Sequence, residues 1–376
     1  MDNLKEAKDA IYNAKRITIL TRDNPSQDAA GAALALFFSL KNINKIVNIP
    51  ALREFPDPID ILSKEDEQKT FLISFKKNVS EIYYEKKGDE INLYIKPKKE
   101  GIRLEDLSFK TIASRNINGF QGINQLKKPA DLLIALGIEN FQDIEKAIEE
   151  NPDRYLPQIK IISIDNSGLS QKYADFNLVK KYPSLSQACA YFLKNFGVDF
   201  INSDAANALL YGFTLFLKDA KPDDQQELIL LLSWLARNGA DFSFQADGKK
   251  EPRPGQSLLS EVLKKIEFYE ESAIYCSCLD KKNFGSAGAS PRDLGFVIAE
   301  IKTRLSVPSL LLLWEAEAQS GPDKIMGIFY SDKENTVEKI NRRLGGKRKG
   351  SGILFLSRQP NLALAKKEIL DAINRR

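Results

Sequence analysis

The chain has 376 residues and no histidine, which is the most informative absence in its composition. Histidine is the usual general base of nucleophilic triads and a common ligand of zinc and of paired metal ions. Enzymes that depend on an imidazole as base, acid or metal ligand are therefore excluded.

Cysteine is nearly as scarce, because only Cys189, Cys276 and Cys278 are present. A small, odd number argues against a disulfide framework and is typical of a reducing compartment. Cys276 and Cys278 alternate along an apolar segment that predicts a strand, so both thiols should share a face. A metal site there would have only Cys189 as a further thiol ligand, and the pattern favours small buried side chains.

Long apolar runs are also missing. The longest, Leu228–Leu232, is far shorter than the roughly 20 residues that span a bilayer, and the first residues form no apolar leader. The sequence predicts a cytoplasmic protein without a membrane segment.

Charge is abundant but unevenly placed. Hydrophobic residues make up 43% and charged residues 28% of the chain, with a net charge of +4, which is typical of a globular protein of two or three domains. Residues 322–376 hold 13 Lys and Arg against 6 Asp and Glu, a net +7 that leaves −3 for the remainder. A basic C-terminal region favours a polyanion or an acidic partner, the alternative being a solvated basic face.

The first and middle parts of the chain show a βαβ pattern. A buried strand at 16–21 is followed by a turn and a small-residue helix at 29–40, and apolar strand-length runs at 131–136 and 159–164 enclose a helix. The pattern predicts a parallel sheet.

The rest of the chain differs in texture. Residues 52–129 contain alternating strand-like segments around a Lys-Gly-Asp turn, which predicts an antiparallel insertion. We expect an α/β domain at 1–182, a helical connector at 183–254 and a smaller α/β domain at 255–376.

Three segments carry candidate chemistry. Residues 22–32 read RDNPSQDAAGA between the first strand and its helix, where ligands of open α/β sheets and anions bind. Residues 164–179 read IDNSGLSQKYADFNLV after another strand, and residues 345–352 read GGKRKGSG. The last segment joins four glycines to three cations, a composition that suits a phosphate although its spacing is not that of a P-loop.

These three segments resemble the motifs of DHH-family phosphoesterases, the RecJ-like and nanoRNase superfamily. The first resembles H-x-N-P-D-G-D-A-x-G-S, the second I-D-H-H-x-S-N-x-x-F-G-D-x-N-L-V, and the third the G-G-H-x-x-A-S-G loop of the associated C-terminal domain. The resemblance covers about residues 10–50 and 130–376. It implies a phosphoesterase fold in which two divalent ions, usually manganese, are held by His and Asp.

The residues that depart from the pattern are the metal ligands. The positions that would hold them carry other residues, namely Arg22, Ser26, Gly137, Asn166 and Ser167. The segment 209–217, where the family has a further aspartate, contains none. Asp28 and Asp165 are the residual carboxylates. We therefore expect no cofactor and the loss of the manganese sites, and Arg22 is predicted to pair with Asp28 or Asp165 in place of an ion. Alternatively, Asp28 is a helix N-cap and Asp165 caps a loop.

Retained polar and basic side chains predict a binding site instead. The predicted binding residues are Arg22, Asn24, Ser331, Gly345, Gly346, Lys347, Arg348, Lys349 and Ser351. Tyr330 stands where the family's C-terminal domain has an arginine. A flexible basic surface turn is the alternative for the segment 345–352.

The sequence favours a catalytically degenerate DHH-type protein. It would bind nucleotides or short single-stranded RNA or DNA without hydrolysis, or form a homodimer or a heterodimer with a DHH homologue. The alternatives are an active phosphoesterase or oligoribonuclease with a reduced single-metal site, and a structural subunit without a ligand.

Overall fold

A computed structural model describes most of the chain. The residues it describes are 2–50, 70–75, 79–87, 90–97, 107–112, 129–149, 155–168, 172–197, 200–213, 225–242, 254–305, 307–316 and 324–374. The chain divides into two compact units, one of residues 1–59 and 126–376 and the other of residues 60–125. The glycines and prolines of residues 248–255 predict a linker, but its last two residues, Pro254 and Gly255, begin a helix and the others lie outside the described residues. Asp223, which the sequence predicts as a helix N-cap, also lies outside the described residues. No helix in the described ranges is long and apolar enough to cross a membrane.

The larger unit begins with a parallel sheet. Its strands are β1 (Arg16–Leu20), β2 (Ile46–Asn48), β7 (Ala130–Leu136), β8 (Tyr155–Asp165) and β9 (Phe176–Val179), in the order β2-β1-β7-β8-β9 with every pair parallel. Helices of this part are α1 (Asp2–Asn13), α2 (Gln27–Asn42), α3 (Phe141–Glu149), α4 (Leu185–Lys194), α5 (Ser203–Phe213) and α6 (Gln225–Arg237). The predicted parallel α/β sheet is confirmed.

The strand order places a topological switch point between β1 and β7. The chain leaves β1 towards β2 on one side and returns to β7 on the other, so the loops after β1 and β7 diverge at the carboxyl edge of the sheet. Ligands of open α/β sheets bind in such a crevice. The segment 22–32 follows β1 and therefore lies at this point.

Helix α2 packs closely on α5 because two glycines meet. A Cβ at Gly31 would lie 2.7 Å from the carbonyl oxygen of Ala208 and 2.9 Å from Cα of Gly212, and a Cβ at Gly212 would lie 1.9 Å from Oγ of Ser186. The side chains of Ala30 and Ala32–Ala33 are fully buried in the same helix. The small-residue pattern of α2 thus sets the distance between α2, α4 and α5.

A second, mixed sheet follows in the same unit. Its strands are β10 (Glu267–Tyr269), β11 (Ile274–Leu279), β12 (Ser309–Ala316), β13 (Lys324–Ser331), β14 (Lys347–Lys349) and β15 (Gly352–Ser357), in the order β10-β11-β12-β13-β15-β14. Its helices are α7 (Pro254–Lys264), α8 (Lys281–Ser286), α9 (Leu294–Leu305), α10 (Glu334–Leu344) and α11 (Leu362–Asn374). Only β11 and β12 pair in parallel within this sheet. Apolar side chains of its central strands form one core with α10 and α11.

The smaller unit consists of antiparallel strand pairs. Strands β3 (Thr70–Phe75) and β6 (Leu107–Ile112) form one pair, and β4 (Val79–Lys87) and β5 (Glu90–Pro97) form the other. The predicted antiparallel insertion is confirmed here. Strand β6 was not expected from the sequence.

Some local expectations need correction. Asp204 is a residue type that favours a helix N-cap, and the sequence predicts it as one. It lies inside α5 instead, and Asn202, just before the helix, accepts the hydrogen bond from Ala205 N at 2.9 Å. The predicted loop at 345–352 contains a strand, β14, because residues 347–349 pair with β15. The three-domain division stays a prediction, since both sheets belong to one compact unit.

Candidate functional site

Asp28 is the first residual carboxylate, and the structure uses it to hold helix α4. Its side chain is buried, and its two oxygens accept the backbone N–H groups of Leu185 at 2.7 Å and Ser186 at 2.8 Å. The hydroxyl of Ser186 in turn donates to the carbonyl oxygen of Asp28 at 2.9 Å. A carboxylate at the first N–H groups of a helix satisfies donors that have no partner inside the helix.

Two competing effects act on the Asp28 carboxyl. Burial raises its pKa above the usual range, and the hydrogen bonds from Ser186 and Leu185 act in the opposite direction. The N-cap of its own helix α2 is Ser26, whose Oγ accepts the N–H of Ala29 at 3.2 Å. The N-cap alternative for Asp28 therefore needs a correction, because Asp28 binds the N-terminus of α4 and not that of α2.

Asp165 is the second residual carboxylate, at the carboxyl end of β8. It is buried and accepts the backbone N–H of Ser167 at 2.9 Å, together with a short hydrogen bond from the Ser167 hydroxyl. Asn166 donates from Nδ2 to the carbonyl oxygen of Tyr182 at 3.3 Å. This geometry matches the alternative in which Asp165 caps a loop. Asn166 and Ser167, which stand at the positions of the family's two histidines, make hydrogen bonds that stabilise this loop.

The second half of the same motif also supports the backbone. Asp175 accepts the N–H of Ile161 at 2.7 Å, and Asn177 donates to the carbonyl oxygen of Ala174 at 2.6 Å. Tyr173 donates to the carbonyl oxygen of Ile138 at 2.9 Å. The matching residues Asp175 and Asn177 thus hold β8 and β9 in place, and Tyr173, which stands at the phenylalanine of the pattern, holds the loop after β7.

Arg22 does not pair with either residual carboxylate. Its guanidinium lies 2.7 Å from a carboxylate oxygen of Glu139, so the hypothesis that it replaces a metal between Asp28 and Asp165 is wrong. Because Arg22 follows β1 and Glu139 follows β7, this ion pair spans the switch point. Both side chains remain about half exposed, at 54% and 56%. Asn24, in the same loop, is exposed and has a left-handed backbone with φ 49°.

Gly137 occupies the position of the bridging aspartate in the family pattern. Its φ of +61° lies in the left-handed region, and a Cβ there would meet the Leu185 side chain at 3.1 Å. An aspartate would be strained at this position. The local backbone therefore favours glycine over a residue with a side chain.

The residues at this edge fit a close pair of manganese ions poorly. No group of three or more His, Cys, Asp or Glu in the described part of the chain is arranged to hold a metal. Both oxygens of Asp28 already accept N–H groups, and Arg22 adds a permanent cation. The loss of the manganese sites itself stays a prediction that metal titration can test.

The C-terminal candidate segment forms a hairpin, which we call the basic hairpin (residues 347–357). Its edge strand β14 exposes all three cations, and alternation along the strand puts Lys347 and Lys349 on one face and Arg348 on the other. Arg348 forms an ion pair with Glu334 of α10. Two lysines therefore project together, away from the face where Arg348 is paired.

The glycines of this segment have structural roles. Gly345 ends α10 with φ 63°, and Gly350 makes the hairpin turn with φ 59°. A Cβ at Gly346 would lie 2.8 Å from the carbonyl oxygen of Leu354. These positions explain the glycine pattern without a phosphate.

Ser331 and Ser351 lie in different environments. Ser331 is buried, bonds to the Ser309 hydroxyl at 2.8 Å and accepts the N–H of Lys333 at 3.1 Å. Ser351 is partly exposed and accepts a hydrogen bond from Lys302 Nζ at 3.0 Å. Of the two, Ser351 is the one that an entering ligand could contact.

Lys302 links Ser351 to Tyr330. Its Nζ lies 3.7 Å from the centre of the Tyr330 ring, a cation–π contact. Burial, and then the hydrogen bond to Asp332, raise the pKa of Tyr330 to about 12. The sequence analysis missed Lys302, because nothing in its helix signals a contact across 49 residues.

Glu139 was missed as well, although a signal existed. It is a carboxylate three residues after the end of β7, at the edge where site residues of a parallel sheet converge.

The protein-family models and the curated proteins include none that matches this chain. An exopolyphosphatase-related protein from Bacteroides fragilis is similar in structure, with 15% identity and a TM-score of 0.42, over 99% of this chain and 95% of that one. A putative family II inorganic pyrophosphatase from Methanococcus jannaschii has 11% identity and a TM-score of 0.29, over 96% and 100% of the two chains. The exonuclease RecJ bound to manganese has 11% identity and a TM-score of 0.25, over 99% and 93%.

The similar structures thus include RecJ, the class of protein that the motifs resemble. At these identities and TM-scores the likeness assigns no chemistry to the chain. The functional interpretation rests on the chain's own residues.

Proposed function

We propose that this chain is a DHH-type phosphoesterase-like protein that binds nucleotides or short single-stranded nucleic acid without hydrolysing them. The observation that carries the proposal is the Asp28 carboxylate, whose two oxygens accept N–H groups of Leu185 and Ser186. A group that holds a helix in the folded protein is poorly placed to take up a metal and release it.

Hydrolysis of the DHH type would require a pair of metal ions to polarise the phosphate and to supply a hydroxide. The residues at the carboxyl edge do not offer a donor set for such a pair. Arg22 supplies a permanent positive charge at the switch point, which favours an anionic ligand without activating water. The site therefore has features that suit binding more than reaction.

The basic hairpin supports the choice of an anionic polymer or nucleotide as the ligand. Lys347 and Lys349 project from an edge strand, and Lys302 lies beside Ser351 at the hairpin turn. Lysines at such positions contact phosphates as point charges, in a manner that depends on salt and not on base sequence. The net +7 of residues 322–376 adds to this attraction.

Assembly and location belong to the same proposal. A non-catalytic DHH-type chain would act alone as a cytoplasmic nucleotide or nucleic-acid binder, or as a partner of an active homologue. Size measurement in solution, alone and with such a homologue, distinguishes these two forms.

The proposal is tested against a single-metal phosphoesterase by the variant Asp28→Ala. Hydrolysis of a 5′-phosphorylated trinucleotide with Mn²⁺ is measured by chromatography, and binding of the same trinucleotide is measured at equilibrium. We expect no product from the native chain. The variant should be less stable but should still bind the trinucleotide at a temperature where it is folded. Product formation by the native chain that Asp28→Ala abolishes would contradict the proposal and favour the single-metal enzyme.

A further inference from the structure

The ion pair of Arg22 with Glu139 has a special position in the parallel sheet. Arg22 follows β1 by two residues and Glu139 follows β7 by three, and these two strands are neighbours on either side of the switch point. Their charged groups meet at 2.7 Å over the crevice in which ligands of this sheet type bind.

The guanidinium of Arg22 and its partner Glu139 are accessible, unlike the residual carboxylates Asp28 and Asp165. Arg22 is 54% exposed and Glu139 56% exposed, whereas Asp28 and Asp165 are only 8% and 3% exposed. An exposed ion pair contributes little to stability, because solvent screens it and two long side chains must be ordered. The pair can therefore open without disturbing the fold.

A further donor lies beside this pair in the chain. The hydroxyl of Thr21, the residue before Arg22, is buried and has no hydrogen-bond partner within the described part of the protein. A buried polar atom without a partner is unfavourable and calls for an explanation, which a hydrogen bond to a ligand would supply.

We propose that Arg22 is a subsite for a terminal phosphate and that the Glu139 carboxylate occupies this subsite in the absence of ligand. Glu139 presents the same kind of group as the ligand, namely oxygens with negative charge aimed at a guanidinium. A ligand enters by displacing Glu139 from Arg22. The inference rests on the proposed function and specifies which part of the ligand is recognised at the parallel sheet.

The carboxylate of Glu139 determines which class of ligand is favoured. A phosphodiester carries one negative charge, as Glu139 does, and has no advantage over it. A terminal phosphate carries about 1.5 to 2 negative charges and offers three oxygens to the planar guanidinium, so it competes better. Glu139 thus selects nucleotides and 5′-phosphorylated ends over internal phosphates.

The experiment compares two labelled trinucleotides, one with a 5′-phosphate and one with a 5′-hydroxyl, by fluorescence anisotropy at fixed salt. The proteins are the native chain, Glu139→Gln, Arg22→Gln and the double variant. Glu145→Gln, which removes the same charge from an exposed position on α3, is the matched control. Inorganic phosphate serves as a competitor that carries the phosphate without the nucleoside.

The native chain should prefer the 5′-phosphorylated trinucleotide, and Arg22→Gln should lose this preference. Glu139→Gln should bind the phosphorylated form about 1.4- to 5-fold more tightly, the range that corresponds to an exposed ion pair of about 0.2–1 kcal/mol. The gain should vanish when Arg22→Gln is also present. Inorganic phosphate should displace the phosphorylated trinucleotide from the native chain, and it should do so at a lower concentration from Glu139→Gln.

Two results would overturn the subsite while leaving the proposed function intact. One is equal affinity of the native chain and Glu139→Gln for the phosphorylated trinucleotide. The other is a gain that Glu145→Gln reproduces or that persists in the double variant, since it would report net charge alone. If none of the proteins binds either trinucleotide, the proposed function fails and the subsite fails with it.

Discussion

The charged side chains at the carboxyl edge of the parallel sheet differ in burial from those of the basic hairpin in the second sheet. At the first, Asp28 and Asp165 are buried and accept N–H groups from neighbouring backbone. At the second, the side chains of Lys347 and Lys349 extend from an exposed edge strand. Substitutions of the buried carboxylates Asp28 and Asp165 should therefore change stability, and substitutions of the exposed hairpin lysines should change binding.

A related difference exists between the motif residues that match the DHH-family pattern and those that differ from it. Asp175 and Asn177 match the family pattern, and both make hydrogen bonds that the backbone needs. Arg22 and Gly137 depart from it, and these positions would have carried the metal ligands. The matching residues thus build the edge of the sheet, and the departing residues stand where the resemblance implies metal ligands.

Gly212→Ala should have the largest effect, because it would force α5 away from α4 and α2. A Cβ at Gly212 would lie 1.9 Å from Oγ of Ser186, the hydroxyl that donates to the Asp28 carbonyl oxygen. We expect a loss of about 3 kcal/mol in the free energy of unfolding, the upper part of the usual range for overpacking. Urea denaturation measures it.

Gly285→Ala is the matched control. Gly285 lies in helix α8, and a Cβ there would meet nothing within 4 Å. Alanine should be neutral or slightly stabilising at this position. If Gly212→Ala and Gly285→Ala unfold at the same urea concentration, the close approach of α2, α4 and α5 does not require glycine at position 212.

Asp28→Ala should have an effect of similar size. It leaves the buried N–H groups of Leu185 and Ser186 without acceptors, at an expected loss of about 3 kcal/mol, since each unsatisfied buried donor is unfavourable by about 1–3 kcal/mol. Thermal and urea unfolding measure the change. Asp23→Ala, at an exposed position in the loop before α2, should stay within about 0.5 kcal/mol of the native chain. Equal stability of the two variants would contradict the structural role of Asp28.

The triple substitution of Lys347, Arg348 and Lys349 by Ala should weaken ligand binding and leave stability nearly unchanged. The slope of log affinity against log salt should become shallower by about 0.7 for each phosphate contact that is lost on a single strand. Anisotropy titrations at several salt concentrations measure the slope.

The control for this triple variant removes the same number of charges from the parallel-sheet part. The substituted residues are Lys160, Lys172 and Lys194, all of which are exposed. This control should retain more affinity and a steeper slope than the hairpin variant. Identical slopes would show that net charge, and not the basic hairpin, governs binding.

The smallest expected effect concerns the thiols, of which Cys189 lies on α4 beside Asp28 and Cys278 lies on β11 of the second sheet, outside the basic hairpin. The hydrogen bond from Cys276, with Lys366 and Lys265 nearby, lowers the pKa of Cys278. In the first region, burial and the Asp28 charge raise the pKa of Cys189. At pH 7 to 8, iodoacetamide should therefore label Cys278 first and Cys189 only after unfolding, as followed by peptide mass spectrometry. Labelling of Cys189 in the folded chain at the rate of Cys278 would contradict the contrast.

Much of the fold could be predicted from the sequence, because periodicity and apolar runs determine it. Strands β1, β7 and β8 read as buried apolar runs, and the alternation at 70–97 indicated an antiparallel insertion. Strand β14 could not be predicted, since its three residues are all cations and pair only through the backbone with β15.

The candidate site was less predictable, because it depends on which side chains meet across the sheet. The sequence identified Arg22 but not its partner, since the pairing with Glu139 requires β1 and β7 to be neighbours. It likewise offered Asp28 as a catalytic remnant or a cap of α2, whereas the contact with α4 depends on how closely α2 approaches α5. Contacts of this kind arise from packing and not from local pattern.

The central claim is that the chain binds an oligonucleotide and does not cleave it. The most direct test follows the fluorescence anisotropy of a labelled short oligoribonucleotide over time with the native chain and Mn²⁺. We predict a rise that holds for hours and that excess unlabelled 5′-phosphorylated oligonucleotide reverses. A rise that decays as labelled fragments are released would identify a working hydrolase and would contradict the account drawn from Asp28, Arg22 and Gly137.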